Sequence, residues 1–122
     1  MTKTILIIDD SPSVLQMVSH TLSASGYRVI EACDGSDGYS KAVANSIDAV
    51  VTDLNMPGMN GLDFIRKYRA SPKSAGVPIV FLTTETDDRL KREARDAGAT
   101  GWISKPFRPE QLLAVVKKVA GA

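Results

Sequence analysis

Ala49-Val50-Val51-Thr52-Asp53-Leu54-Asn55-Met56-Pro57-Gly58 is the stretch that decides the fold. An apolar, β-branched run is followed at once by an acid, an amide and a Pro-Gly turn signal. Such a run reads as a strand buried on both faces, as in a parallel sheet, and it is expected over Asp48 to Asp53. Asp53 therefore closes a strand. In open α/β sheets the ligand crevice lies outside the carboxyl ends of the strands. That places Asp53 where chemistry is done and directs attention to the other strand ends.

Working outward, Ile5 to Ile8 forms a first strand that ends at Asp9-Asp10, and Ser11-Pro12 supplies an N-cap with proline at the first helical position. Val14, Leu15, Val18 and Leu22 recur at helical spacing until Gly26 stops the helix. Arg28 to Ala32 is a short second strand, Asp34-Gly35 a turn and cap, and Ser36 to Asn45 a second helix. Beyond the central strand, Pro57, Gly58 and Gly61 make a loop. Leu62, Phe64, Ile65 and Tyr68 give the next helix its inward face, and Ser71 to Gly76 reads as a surface loop. Val77 to Leu82 is a fourth strand, with Pro78 near its start where a missing donor is tolerated. Trp102-Ile103-Ser104 is a fifth, ending at Lys105-Pro106, and Pro109 opens a last helix with Leu112, Leu113, Val116, Val119 and Ala120 inward. Five strands alternating with five helices predict an α/β fold, a (βα)5 doubly wound parallel five-stranded sheet. The fourth helix, about Asp87 to Ala97, has only Leu90, Ala94 and Ala97 as an apolar stripe among many charges. Its docking is expected to be among the weakest in the domain.

The bulk numbers bound the function. At 122 residues the chain is expected to be one domain, 1–122, with no linker and no output domain. Hydrophobic residues at 43% and charged residues at 24% are those of a globular protein, and a formal net charge of +1 argues against nucleic acid or a membrane as the main partner. The lone cysteine, Cys33, excludes an internal disulfide, fits a reducing cytoplasmic setting, and is expected to be a small buried filler. His20 reads as an ordinary surface residue, and Met17, Met56 and Met59 as gap fillers in the core or under the loop. Trp102 is expected to be partly buried packing.

Asp9 and Asp10, Asp53, Thr83 and Lys105 all close strands, and in a parallel sheet those ends share one edge. Two carboxylates about 5 Å apart at an effective dielectric of 20 repel by roughly 3 kcal/mol. Three acids at one edge therefore ask for a counter-charge, and a hard divalent cation with oxygen ligands such as Mg²⁺ suits them. Lys105 can hold an anion beside the metal, and Thr83 offers a hydroxyl donor. Metal, ammonium, hydroxyl and a nucleophilic carboxylate together describe phosphoryl transfer onto Asp53.

Asp9-Asp10, Asp53 with Asn55-Met56-Pro57-Gly58, Thr83, and Lys105-Pro106-Phe107 resemble, over the whole chain, the signature set of response-regulator receiver domains. Within that family the chain looks most like the stand-alone chemotaxis regulators (CheY-like). The resemblance implies strand order 2-1-3-4-5 and phosphorylation of Asp53 by a sensor histidine kinase. It implies Mg²⁺ held by Asp10, Asp53 and the Asn55 backbone carbonyl, with Asp9 acting through water, and a cis Lys105–Pro106 peptide. It further implies that Lys105 contacts the phosphoryl group and that Thr83 and Trp102 switch the helix 4/strand 5/helix 5 face where partners bind. Those partners would be a chemotaxis kinase, a flagellar motor switch protein or other target, and a phosphatase. The regulator would be a phosphoacceptor, not an enzyme with a separate substrate.

Two residues depart from the family pattern. Trp102 stands where tyrosine or phenylalanine is usual. Thr84 follows the switch threonine where alanine or glycine is commoner; with Glu85 it governs access to the phosphate and is expected to alter its lifetime. Competing readings keep the same residues. A phosphorelay or surface-motility regulator differs only in its partners. A Mg²⁺-dependent aspartyl phosphatase would need an acid where Asn55 stands, and a flavin carrier would need a phosphate loop where Asp9-Asp10 would repel the anion.

Overall fold

Five parallel strands, Thr4–Ile8 (β1), Arg28–Ala32 (β2), Ala49–Asp53 (β3), Ile79–Thr83 (β4) and Gly101–Ser104 (β5), pair in the order β2-β1-β3-β4-β5. That is the order implied by the family resemblance. The helices are Pro12–Ala24 (α1), Gly35–Ala44 (α2), Gly61–Arg69 (α3), Asp88–Ala97 (α4) and Pro109–Ala120 (α5). The structure is a computed structural model that describes residues 2–54, 56, 58–84 and 88–121. Among them no helix is long and apolar enough to cross a membrane.

The strands β1, β3 and β4 are buried along their whole length, while the edge strands β2 and β5 are partly exposed. Because successive side chains on a strand point to opposite faces, the interior divides into two cores. Ile5, Ile7, Ala49, Val51, Val80, Leu82 and Ile103 pack with Val18 and Leu22 of α1 and Leu112 and Val116 of α5. Leu6, Ile8, Val50, Ile79 and Phe81 pack with Ala42 of α2, Phe64, Ile65 and Tyr68 of α3 and Ala94 of α4. The helix starts are capped as the sequence directs. Ser11 Oγ accepts from the Val14 N–H, Asp34 from Asp37 and Asn60 from Asp63.

Several local expectations are corrected. Cys33 is exposed, not a buried filler. It follows the last residue of an edge strand, in the turn to α2, where no element covers it. Trp102, by contrast, is the partly buried packing expected, left 42% exposed because β5 is an edge and α4 covers it thinly. Its ring stacks at 6.2 Å on Phe81 of the neighbouring strand β4 and meets Lys91 Nζ at 4.8 Å. The segment 71–76 is not wholly a surface loop. Pro72–Ser74 form one turn of 3-10 helix, and Ser74 is buried with its hydroxyl donating to Ser71 O. β3 starts at Ala49, since the Asp48 carboxylate accepts from the Thr4 N–H at 2.7 Å. β4 starts two residues later and ends one residue later than expected, at Ile79–Thr83, which takes Thr83 into the strand.

The α4 stripe is as thin as its sequence indicates. Ala94 alone is fully buried on this helix among the described residues, with Leu90 and Ala97 packed against the core from partly exposed positions. Its carboxyl end is better held. Arg69, at the end of α3, donates to Gly98 O at 3.0 and 2.9 Å and to Ser74 O at 2.8 Å. Burial of that guanidinium lowers its pKa.

Candidate functional site

The strand register brings the site together. Ile8 lies opposite Thr52, Asp53 opposite Leu82, and Thr83 opposite Ser104. Asp9, which follows β1, therefore emerges level with Asp53, while Lys105 follows β5 two residues beyond that level and brings its Nζ to both acids through its long side chain. Asp9, Asp53 and Lys105 continue the rows of Ile7, Val51 and Ile103, which face α1 and α5. Thr83 continues the row of Ile79 and Phe81, which faces α3 and α4.

Asp9 is wholly buried and Asp53 is 7% exposed, whereas Asp10 is exposed. Asp9 Oδ1 accepts from the Ser11 N–H at 2.9 Å, and its Oδ2 lies 3.3 Å from Lys105 Nζ. The same ammonium lies 3.4 Å from Asp53 Oδ2. One oxygen from each of Asp9, Asp10 and Asp53 falls within 4.8 Å of the others. Each such pair repels by about 3.5 kcal/mol at an effective dielectric of 20, and each Lys105 contact attracts by about 5 kcal/mol on the same scale. Three carboxylates around one ammonium keep a formal excess of negative charge. Hard oxygen donors clustered this tightly fit a small divalent cation of the magnesium type.

The Lys105 backbone is fixed as well. Its N–H donates to Thr83 O at 2.8 Å, and the Lys105–Pro106 peptide is cis. Thr83 is 1% exposed, and the next residue, Thr84, is exposed. Thr84, Lys105, Pro106 and Phe107 line, with Val14 and Met17 of α1, an apolar groove of about 380 Å³ beside the acids. On the opposite side of β5, Lys91, Arg92 and Arg95 of α4 surround Trp102 with Asp88 in a second groove of about 410 Å³. Asn55 and Glu85, the remaining sequence-predicted site residues, lie outside the described residues. His20 is exposed on α1, and the acidic cluster does not include it.

Two residues that sequence reasoning passed over also shape this edge. Gly61 opens α3 so close to β3 that a β-carbon there would sit 2.0 Å from Asp53 O, and its N–H donates to Leu54 O at 3.0 Å. Gly35 makes a comparable approach to Met59. In the sequence both stand only as turn glycines, because no local pattern shows which distant backbone comes near.

Comparison with known proteins adds an independent finding. A family model, the response regulator receiver domain, matches residues 5–117. Chemotaxis protein CheY1 of Helicobacter pylori strain J99 is 39% identical over 119 residues, covering 96% of each chain. The structure of Vibrio cholerae chemotaxis protein CheY4 superposes with a TM-score of 0.94 at 43% identity, covering 98% of this chain and 99% of that one. The receiver domain of sensor histidine kinase PA1611 from Pseudomonas aeruginosa PAO1 superposes at 0.90 with 26% identity over the whole of both chains. That structure has a magnesium ion coordinated in its active-site cleft.

Proposed function

The chain belongs to the response-regulator receiver family of two-component signalling, and from that premise we propose that Asp53 is its phosphoacceptor. The observation that carries the proposal is the convergence of Asp9, Asp10 and Asp53 on one oxygen-lined point with Lys105 Nζ 3.3–3.4 Å from two of them. An Asp53 carboxylate oxygen attacks the phosphorus of a phosphohistidine on a sensor kinase. The P–O bond forms as the P–N bond breaks, and the imidazole leaves as the neutral ring after taking a proton from solvent. Asp9, Asp10 and Asp53, with the Asn55 carbonyl, would hold Mg²⁺, which supplies charge stabilisation to the transferring phosphoryl oxygens.

Lys105 is placed to follow the incoming anion, because its Nζ already bridges Asp9 and Asp53 and can pair with a phosphoryl oxygen without moving its backbone. Thr83 supplies a hydroxyl from the neighbouring row. Thr84 and Glu85 would set how easily donors and water reach the acyl phosphate. The Thr83–Phe81 row faces α4, and Trp102 stacks on Phe81. A change at Thr83 thus has a route to the α4–β5–α5 face, where Trp102 and the cations Lys91, Arg92 and Arg95 are the natural contact for a downstream partner.

The match to CheY1 and CheY4 over nearly the whole of those proteins supports a receiver domain over 1–122 that serves chemotaxis in the cytoplasm. Its partners would be a chemotaxis kinase, a flagellar motor switch component and a phosphatase. The test is incubation with Mg²⁺ and acetyl phosphate followed by intact mass. One added phosphoryl group is expected, absent from Asp53→Asn and absent in chelator. Phosphorylation that persists in Asp53→Asn would overturn the assignment.

A further inference from the structure

Resting on the reading of Asp53 as phosphoacceptor, we infer that Gly35, at the start of α2, is a positioning residue for the phosphoryl site. None of the acids in the cluster belongs to α2. Yet the Gly35 N–H donates to Met59 O at 3.0 Å, and that carbonyl belongs to the segment joining Asp53 to α3. A β-carbon at position 35 would lie 2.4 Å from Met59 O and 2.8 Å from Met59 Cγ. Gly35 is not among the glycines with positive φ, so its backbone conformation would accept any residue. Alanine is also the better helix former, by about 0.8–1.0 kcal/mol in a helix interior. What glycine supplies at this position is room for the Met59 carbonyl.

Two other described residues of that segment, Leu54 and Met56, are also held. The Leu54 N–H donates to Leu82 O at 3.3 Å, Leu54 O accepts from Gly61, and Leu54 and Met56 are buried at 3% and 7% exposure. Gly61 in turn abuts Asp53 O. The chain after Asp53 is therefore bracketed by two glycine contacts, one from α3 and one from α2. Adding a methyl group at position 35 must displace the Met59 carbonyl by about 1 Å to reach ordinary contact. Met59 belongs to the stretch that follows the phosphoacceptor in sequence, the stretch that includes Asn55, whose carbonyl is proposed as a metal ligand. Outer residues that orient ligands typically change metal affinity by about 10–100-fold when altered.

The experiment titrates Mg²⁺ into the uniformly ¹⁵N-labelled protein and into Gly35→Ala, following amide shifts, with Ser36→Ala in the same turn as control. In the unaltered protein the Gly35 amide is expected to shift with the metal more than the Ser36 amide. Gly35→Ala is expected to weaken Mg²⁺ binding about tenfold or more, with Ser36→Ala unchanged. Adding Met59→Ala to Gly35→Ala should not restore affinity, because the obstructing atom is a backbone oxygen. Recovery in that double variant, or unchanged affinity in Gly35→Ala, would overturn the inference. If Gly35→Ala does not fold, a Gly35 amide in the unaltered protein that ignores the metal would overturn it just as well. An unaltered protein that takes up neither Mg²⁺ nor phosphate would instead sink the underlying assignment of Asp53.

Discussion

Replacing Asp10 with asparagine is expected to stabilise the metal-free protein while removing most of its response to magnesium. Asp9 has the Ser11 N–H and Lys105 as partners, and Asp53 has Lys105. Asp10 has no ion pair among the described residues, yet one of its oxygens lies within 4.8 Å of both other acids. At that separation each repulsion is about 0.9 kcal/mol in water and about 3.5 kcal/mol at an effective dielectric of 20. Asp10 is exposed, so the water figure is the nearer one, and the two repulsions together cost about 2 kcal/mol before salt reduces them. Against this, a carboxylate just before the start of α1 gains about 0.5 kcal/mol from the helix dipole. The net gain for the neutral, nearly isosteric amide is about 1 kcal/mol, or about 4 °C in melting temperature for a domain of this size. Urea denaturation in chelator and at saturating Mg²⁺ reads both effects. The unaltered protein should gain stability with the metal by mass action, and Asp10→Asn should start higher and gain little. Lower stability of Asp10→Asn in chelator, or an undiminished magnesium effect, would refute the view that these acids are held together against their own repulsion.

Phe81→Ala should cost about 3–5 kcal/mol, since that ring is 1% exposed, whereas Trp102→Ala at 42% exposure should cost about 1 kcal/mol; paired denaturation curves check the contrast. Burial raises the Asp37 pKa, but the Cys33 N–H at 3.1 Å and Lys41 at 3.2 Å outweigh it and leave the carboxyl below its usual 3.8. Asp37→Asn should therefore lose about 0.5–1 kcal/mol at neutral pH. The difference should be full above pH 3.8 and fade as the pH falls through the lowered value, as acid titration of the denaturation midpoint will show. Thr84→Ala should speed acetyl phosphate uptake several-fold by opening the exposed mouth beside Lys105, measured as the initial rate of intact-mass change. An unchanged rate would mean that the threonine does not guard the site.

The sheet and the acidic edge were legible because both follow from chain-local signals. Runs such as Ile5–Ile8 and Ala49–Val51 can only be satisfied between two layers of helix. In a parallel sheet, acids that end such runs have nowhere to go but the same edge. Burial at the margins was harder to read. Cys33 and Trp102 carry apolar side chains, but each sits on or just past an edge strand, and whether an edge is covered depends on which helix lies over it. For Trp102 that helix is α4, whose thin stripe was visible in the sequence. Its consequence for the neighbouring strand was not. The approach of Gly35 to Met59 and of Gly61 to Asp53 left still less trace, because a close contact between backbones far apart in sequence has no periodicity to announce it. Ser74 is a similar case. Its burial arises from a single 3-10 turn held by Arg69 from the previous helix.

If Asp53 is the phosphoacceptor proposed above, the two faces of the sheet would divide the labour of a switch. Asp9, Asp53 and Lys105 continue rows that enter the α1/α5 core, where strand side chains such as Ile7, Val51 and Ile103 are buried and close-packed. Charge placed on Asp53 therefore meets rigid surroundings that do not give way. Thr83 belongs to the other row, which runs back through Phe81 to the face of α4, and α4 buries one residue fully and a few in part. A hydroxyl drawn toward new charge at Asp53 would disturb the side of the sheet with least packing to oppose it. Arg69 meanwhile holds the far end of α4 through Gly98, so any displacement would fall on its amino-terminal end and on Trp102. The energy needed to shift such an equilibrium from 1:99 to 99:1 is about 5.5 kcal/mol. That is on the scale of one close charge contact at the Lys105 bridge. On the proposed reading, a single phosphoryl group at Asp53 would thus be large enough to move α4, and small enough that a densely packed helix in its place would hold still.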